Sequence, residues 1–228
     1  MKKFLASAIL TAAVIFTSPA FCAAADISLP APNTTQTKQL GEVMSERQSS
    51  RDLYGAPLSQ QELSNILWAA NGITTRFNGS KGHVNPAALG IYSVDVYAVT
   101  ADGIYLYLPA KHELKLVAKG DFRAATTSAH HPAKFATNAP LNLVYVENSN
   151  AWKSSKHPVD AERQAAFANI AAGSMCQSVA LMANNLGYGN CVRGSIDADA
   201  FTKAAKLSSN QKVLFAQSIG NSKNVPKG

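Results

Sequence analysis

The sequence predicts an α+β domain. Two runs carry helical periodicity with recognisable ends, at 60–71 and from Asp160 to Leu186. Alternating apolar patterns typical of strands gather at 92–117 and again at 141–146. Read along the chain, the order is helix, helix, strands, helix, strand, long helix, helix, strand, which lacks the regular alternation of a βαβ array.

The first element is not part of that domain. MKKFLASAILTAAVIFTSPAFCAAAD places Lys2 and Lys3 before an apolar run from Phe4 to Phe16, then small residues ending at Ala23, Ala24 and Ala25. This is the layout of a secretory signal peptide over 1–25, which directs the mature chain to the periplasm or the exterior. The apolar run is shorter than the about 20 residues of a membrane span, so no membrane attachment is expected after cleavage. A lipoprotein site at Cys22 competes with this reading, but Phe21 puts a bulky ring where such a site needs a small residue.

Cleavage leaves about 200 residues, enough for one domain with a substantial core. Loss of Lys2 and Lys3 lowers the formal charge from +7 to +5. No basic run exceeds two residues and no aromatic residues interleave with lysines, which argues against nucleic acid and leaves an anionic small ligand as the better match. Of the cysteines, Cys176 and Cys191 remain; their spacing fits neither a CxxC pair nor a zinc cluster, and a disulfide between them stays open.

Residues 26–37, DISLPAPNTTQT, have linker composition, and the domain is expected over 38–228. A short amphipathic segment, 38–46, comes first. Ser59-Gln-Gln-Glu62 is a capping box, followed by Leu63, Ile66, Leu67 and Ala70 at helical spacing, with Gly72 as a left-handed stop and Trp68 at the edge. Residues 73–90 read as a long loop rich in Gly and Pro, of the kind that often carries function. From Tyr92 the pattern alternates as a strand, and 103–108 with 113–117 form a hairpin through Pro109-Ala-Lys-His112. Pro140 introduces a strand at 141–146. Asp160 caps the long alanine-rich helix, which Gly187 stops; Asp197 caps a helix to about Leu207, and 213–219 close the chain as a strand.

Common catalytic templates are missing: there is no GxSxG elbow, HExxH or P-loop. His112, His130 and His131 lack the spacing of a metal site and are better read as surface or capping residues. Three other features stand out. Arg47, Ser49 and Arg51 can supply charge-assisted bonds to a phosphate dianion. Asn85-Pro86-Ala87-Ala88-Leu89-Gly90 offers a fixed path lined with small residues, suited to a flat ligand. Leu186-Gly-Tyr-Gly-Asn-Cys-Val-Arg-Gly194-Ser195 turns out of the long helix with three glycines. Singly, each has an ordinary structural reading: a solvated turn, a pre-strand loop and a helix stop.

Taken in order, R-x-S-x-R, L-W-A-A-N-G-I, P-A-A-x-G-x-Y, G-I-Y-L-Y, A-G-x-x-x-Q-S and L-G-Y-G-N-C resemble the nitroreductase superfamily of flavoproteins, and most closely its azoline-forming dehydrogenase branch. The resemblance covers about residues 42–222. It implies a nitroreductase-like α+β fold: a central, mainly antiparallel sheet surrounded by helices, with a long central helix, assembled as a homodimer whose subunits both contribute to each flavin site. It implies FMN as cofactor, with Arg47, Ser49 and Arg51 on the phosphate and ribityl chain, helped loosely by Lys223. Asn85, Pro86, Ala87 and Ala88 would lie along the isoalloxazine, and a backbone amide near Arg193 and Gly194 would face flavin N5. The flavin carries the redox chemistry, so no catalytic acid or base is expected of the chain.

Two departures from the family pattern stand out. Ala87 replaces a common serine, and Arg193 stands where some members carry glutamate; directed inward, it would favour the reduced, anionic ring. Export also separates the protein from cytosolic NAD(P)H. The leading expectation is therefore an exported FMN-dependent oxidoreductase acting on a small molecule. Its alternatives are a flavin or small-ligand binding protein without turnover, and a partner-binding protein that keeps only the scaffold.

Overall fold

The structure, a computed structural model, describes residues 25–35 and 37–225. The expected signal peptide lies outside the described residues except for Ala25. Nine strands and five α-helices follow in chain order among the described residues: β1 (Ile27–Ser28), α1 (Leu40–Glu46), α2 (Gln60–Asn71), β2 (Ile73–Thr75), β3 (Lys81–His83), β4 (Val94–Val99), β5 (Gly103–Leu108), β6 (Glu113–Lys119), α3 (Lys134–Asn138), β7 (Leu141–Asn148), α4 (Ala161–Asn185), β8 (Gly189–Arg193), α5 (Ala198–Ala204) and β9 (Gln211–Gly220). Seven strands form one sheet in the order β1-β6-β5-β4-β7-β9-β8, every neighbour antiparallel.

Both faces of the sheet are covered, which explains why β7 is buried along nearly its whole length. On one face, Leu63, Ile66, Leu67 and Ala70 of α2 and Ala168, Ala172, Met175 and Val179 of α4 pack against Val96, Tyr105, Leu143 and Tyr145. On the other, Phe201 and Ala205 meet Tyr97, Val99, Ile104, Val144 and Val146. The strand period of two assigns alternate residues to these two cores. Helix α4 is long and apolar enough to cross a membrane by length and composition, but its apolar face is spent on the sheet.

The helix starts follow the sequence. Ser59 accepts from the Glu62 amide while the Glu62 carboxylate accepts from the Ser59 amide, completing the capping box. Asp160 Oδ1 accepts from Arg163 N at 2.8 Å, and Asp197 Oδ1 from Ala200 N at 2.9 Å. Gly187 adopts φ +76° and ends α4 as expected.

Other expectations need correction. Gly72 is extended, φ −69°, and not left-handed; glycine is required because a Cβ there would sit 2.3 Å from Trp68 Cδ1. The loop expected at 73–90 contains the β2–β3 hairpin, turned at Gly79 with φ +78°. The glycine turn expected at 186–195 is largely the edge strand β8, held by β9. Helix α5 ends at Ala204, short of Leu207.

Much of the segment with linker composition is laid onto the domain. Ile27 is buried and β1 pairs with β6. The Pro30 carbonyl accepts from Ser64 Oγ at 2.6 Å and lies 3.0 Å from His112 Nε2, while His112 Nδ1 lies 2.8 Å from Tyr107 OH. His112 itself takes a left-handed conformation, φ +53°, in the β5–β6 turn, where these contacts hold it.

Candidate functional site

The arginine cluster begins where α1 stops. The Arg47 amide donates to Val43 O at 3.0 Å, after which the backbone extends. Ser49 then bridges in parallel to Asn190 of β8, and Ser50 N donates to Asn190 O at 2.8 Å. This strip is joined by the far end of the chain. Tyr54 and Asn221 exchange backbone bonds at 3.1 and 2.8 Å, and Gln48 Nε2 donates to Asn224 O at 3.1 Å. The Asp52 carboxylate accepts from Ser222 Oγ at 2.7 Å and from Lys223 N at 2.9 Å, bonds that hold it below the ordinary carboxylate value. The Lys223 backbone is thus brought beside Asp52, the residue after Arg51; neither Arg51 nor Lys223 lines the two recesses around Arg47.

Arg47 is half-buried; Ser49, Arg51 and Lys223 are exposed. Among the described residues neither Arg47 nor Arg51 has an ion-pair partner, since the salt bridges there join Lys38 to Glu46 and Arg123 to Asp121.

Beside the cluster opens a cleft of about 310 Å³, bounded by Arg47 and Ser49, by Gly173, Cys176, Gln177 and Ala180 of α4, and by Asn190, Val192 and Phe215 of β8 and β9. A second recess of about 350 Å³ lies around the same Arg47, with Gln48, Asn184 and Asn224 in its wall. The Asn184 Oδ1 atom there is buried and without a hydrogen-bond partner, as is Ser50 Oγ. The cleft wall contains no carboxylate and no imidazole. Cys176, on that wall, is a free thiol pushed up to about 12 by burial, so it is no nucleophile; Cys191 is also free and buried, and no disulfide joins them.

The remaining expected residues lie elsewhere. Asn85 is buried with its side chain turned into the protein: Nδ2 donates to Ala69 O and Ala70 O at 2.7 and 2.9 Å, and Oδ1 accepts from Ser178 Oγ at 2.6 Å. It fastens the end of α2 to α4. Pro86 is exposed, Ala87 and Ala88 are half-buried, and none of the three borders the cleft of their own chain. Leu89, next to them, is exposed and left-handed at φ +54°.

Arg193 does not point into the cleft. Asn190 and Val192 face it, and the strand alternation sends Arg193 to the opposite side, where it is 6 % exposed. Its Nε donates to Ser218 Oγ, Nη1 to Thr126 O and Ser195 O, and Nη2 to Thr126 Oγ1 and Asn142 Oδ1. Burial brings its pKa down to about 10. Gly194, at the end of β8, borders open space, since an added Cβ would meet nothing within 4 Å.

Sequence reasoning missed Cys176, Gln177, Ala180, Asn190, Val192 and Phe215. The one local signal was Gly173: inside a helix it costs stability relative to alanine, and an added Cβ there would enter open space beside the cleft.

Comparison with known proteins decides the family. Residues 44–221 match the model described as the nitroreductase family. The chain belongs to the nitroreductase family. The match begins just before the arginine cluster and ends at the Asn221 bridge, so it takes in Arg47, Ser49, Arg51 and the cleft-lining residues but stops short of Lys223. A Methanocaldococcus jannaschii protein, MJ1384, described as a candidate nitroreductase, is 27 % identical over 175 residues, 74 % of this chain and 85 % of its own. A crystal structure of a candidate nitroreductase from Ralstonia eutropha superposes with a TM-score of 0.76 at 28 % identity, covering 95 % of this chain and 96 % of that one. The NADPH:FMN oxidoreductase of Vibrio harveyi shares the fold, with a TM-score of 0.59 at 16 % identity over 83 % of this chain and 71 % of its own.

The residues present fit a phosphorylated flavin. The Arg47 guanidinium and the Ser49 hydroxyl border the cleft, Arg51 follows in the same strip, and neither arginine has an ion pair among the described residues, which suits the charge of a phosphate. The cleft itself combines small and apolar side chains, Cys176, Ala180, Val192 and Phe215, with the polar Gln177 and Asn190, and leaves a gap at Gly173, a lining that suits a flat ring with polar edges.

Proposed function

We propose that this nitroreductase-family protein is an exported, homodimeric, FMN-dependent oxidoreductase that reduces a small molecule. The observation that carries the reading is Arg47 and Ser49 on the wall of one cleft, with Arg51 next in the same strip and the Lys223 backbone bonded to the neighbouring Asp52. Family membership supports a redox reaction, and the Vibrio harveyi oxidoreductase, whose name includes FMN, supports the choice of flavin.

In this reading Arg47 and Arg51 neutralise the phosphate, Ser49 and Lys223 complete its hydrogen bonds, and Cys176, Ala180 and Val192 give the ring an apolar bed. Gly194 offers its amide beside that bed. Pro86, Ala87 and Ala88 do not border their own cleft, which suits a homodimer where this loop covers the site of the second copy. Bound FMN would supply hydride or electron transfer at its N5. The cleft wall holds no carboxylate or imidazole and its one thiol, Cys176, is pushed up to about 12, so protons for the acceptor come from solvent. Export rests on the leader sequence; the azoline-forming branch rests on motif order alone.

A visible spectrum of the purified protein, with and without added FMN, tests the proposal. Flavin absorbance with vibronic fine structure, and quenched fluorescence on uptake, are expected. Failure to take up FMN overturns it. A protein without turnover is the second reading, favoured by Ala87, which lacks the usual hydroxyl. Rapid reduction by a donor and reoxidation by an acceptor would exclude that alternative.

A further inference from the structure

Burial of Arg193 needs an explanation beyond packing. All five of its N–H groups are satisfied, yet every acceptor is neutral: two backbone carbonyls, two hydroxyls and one side-chain amide. No carboxylate accompanies it among the described residues; the nearest aromatic neighbour is Phe135, whose ring centroid lies 6.0 Å from Cζ. A cation taken out of water without a counter-ion is destabilising, a cost that apolar side chains of similar volume would avoid. The charge is therefore retained at some expense, on the strand whose other side forms part of the cleft wall.

Geometry ties that charge to the site. Arg193 ends β8, after Val192, which borders the cleft, and before Gly194, which borders open space. The guanidinium lies on the other side of the strand from the cleft and is 6 % exposed, so water screens its field less than that of a surface charge. The cleft wall contains no acidic residue to cancel it.

Building on the flavin reading, we infer that Arg193 is a positioning and tuning residue that raises the reduction potential of the bound ring from behind the sheet. Oxidised flavin is neutral at its ring. Uptake of two electrons and one proton leaves a negative charge on the ring, and a fixed cation nearby stabilises that product over the starting form. The bond from Arg193 Nη1 to the Ser195 carbonyl, at 3.2 Å, also holds the backbone on the far side of Gly194.

The experiment compares three proteins loaded with FMN: wild type, Arg193→Gln and Asn142→Asp. Each is titrated with dithionite against a reference dye, and the midpoint potential is read from the visible spectrum. Arg193→Gln removes the charge. Asn142→Asp leaves Arg193 in place and sets a carboxylate against its Nη2, at the loss of the bond from Asn142 Nδ2 to Ala136 O at 2.9 Å. Both variants are expected to show a lower midpoint potential than wild type, with FMN affinity within a few-fold of it. A folded Asn142→Asp protein that binds FMN at the wild-type potential overturns the inference, and so does such a result for Arg193→Gln. Should Arg193→Gln fail to fold, Asn142→Asp decides alone. Failure of the wild type to bind FMN is a different result, and it removes the flavin reading itself.

Discussion

Replacement of Arg47 by alanine gives a direct measure of the phosphate socket. Arg47 is half-buried between the two recesses and carries no ion pair among the described residues, so its loss releases no partner charge. Its cap to Val43 uses the backbone amide, which alanine keeps. The folded state should therefore be barely altered. What disappears is a charge-assisted hydrogen bond, worth about 1.5–3 kcal/mol, or about 12- to 150-fold in Kd for FMN. Riboflavin provides the control because it has the same ring and no phosphate. Flavin fluorescence quenching should give a weakened Kd for FMN and an unchanged Kd for riboflavin in Arg47→Ala. Arg51→Ala should behave alike but near the lower end of that range, because its exposed charge is screened by water. Equal weakening of both flavins, or of neither, would refute the phosphate role.

Three further outcomes are expected. Asn85→Ala leaves the Ser178 hydroxyl and the Ala69 and Ala70 carbonyls without their partner, costing about 2 kcal/mol and lowering Tm by about 4–8 °C in a domain of this size; an unchanged melting curve would show that this amide anchors nothing. Burial holds His83 and His112 below the ordinary imidazole value of 6.5, so the folded protein prefers them neutral and the unfolded chain binds protons more tightly. Stability from these residues is thus complete above that value and declines as pH falls through it towards the folded value. Urea midpoints should drop between about pH 7.5 and 5, and His112→Gln should reduce the drop. Finally, Cys176 and Cys191, both raised by burial, should resist iodoacetamide in the native chain from Asp26 onward and react only in urea, as counted by mass spectrometry.

The parts of the fold legible in the sequence are those written locally. Ser59 with Glu62, Asp160, Asp197 and Gly187 fix helix ends through side chains or backbone within a few residues, and the structure has each in that role. The two central strands, fully covered by helices, announce themselves as apolar runs. β8 does not. Its five residues include glycine and asparagine, poor strand formers, and it exists because β9 offers a hydrogen-bonding edge. β1 was hidden for the same reason, since a two-residue strand is defined by β6 and not by its own composition.

The site was legible by composition and obscure in direction. Arg47 and Ser49 border the cleft, while Arg51 and Lys223 line neither recess and are tied to it only through the strip they share and the Lys223 backbone bond to Asp52. Arg193 could not be oriented before the register of β8 was known, because one step along a strand reverses the face that a side chain occupies. Likewise Asn85 looked like a ligand contact until the carbonyls at the end of α2 claimed its amide.

The stitching of Asp52 to Ser222 and Lys223 joins residues 170 and 171 positions apart. During synthesis Asp52 must therefore wait for about 170 further residues to emerge before its partners exist. Such distant closure makes the pocket a late event in folding, and a prematurely terminated chain lacking the last turn would retain its arginines yet have nowhere to seat an anion.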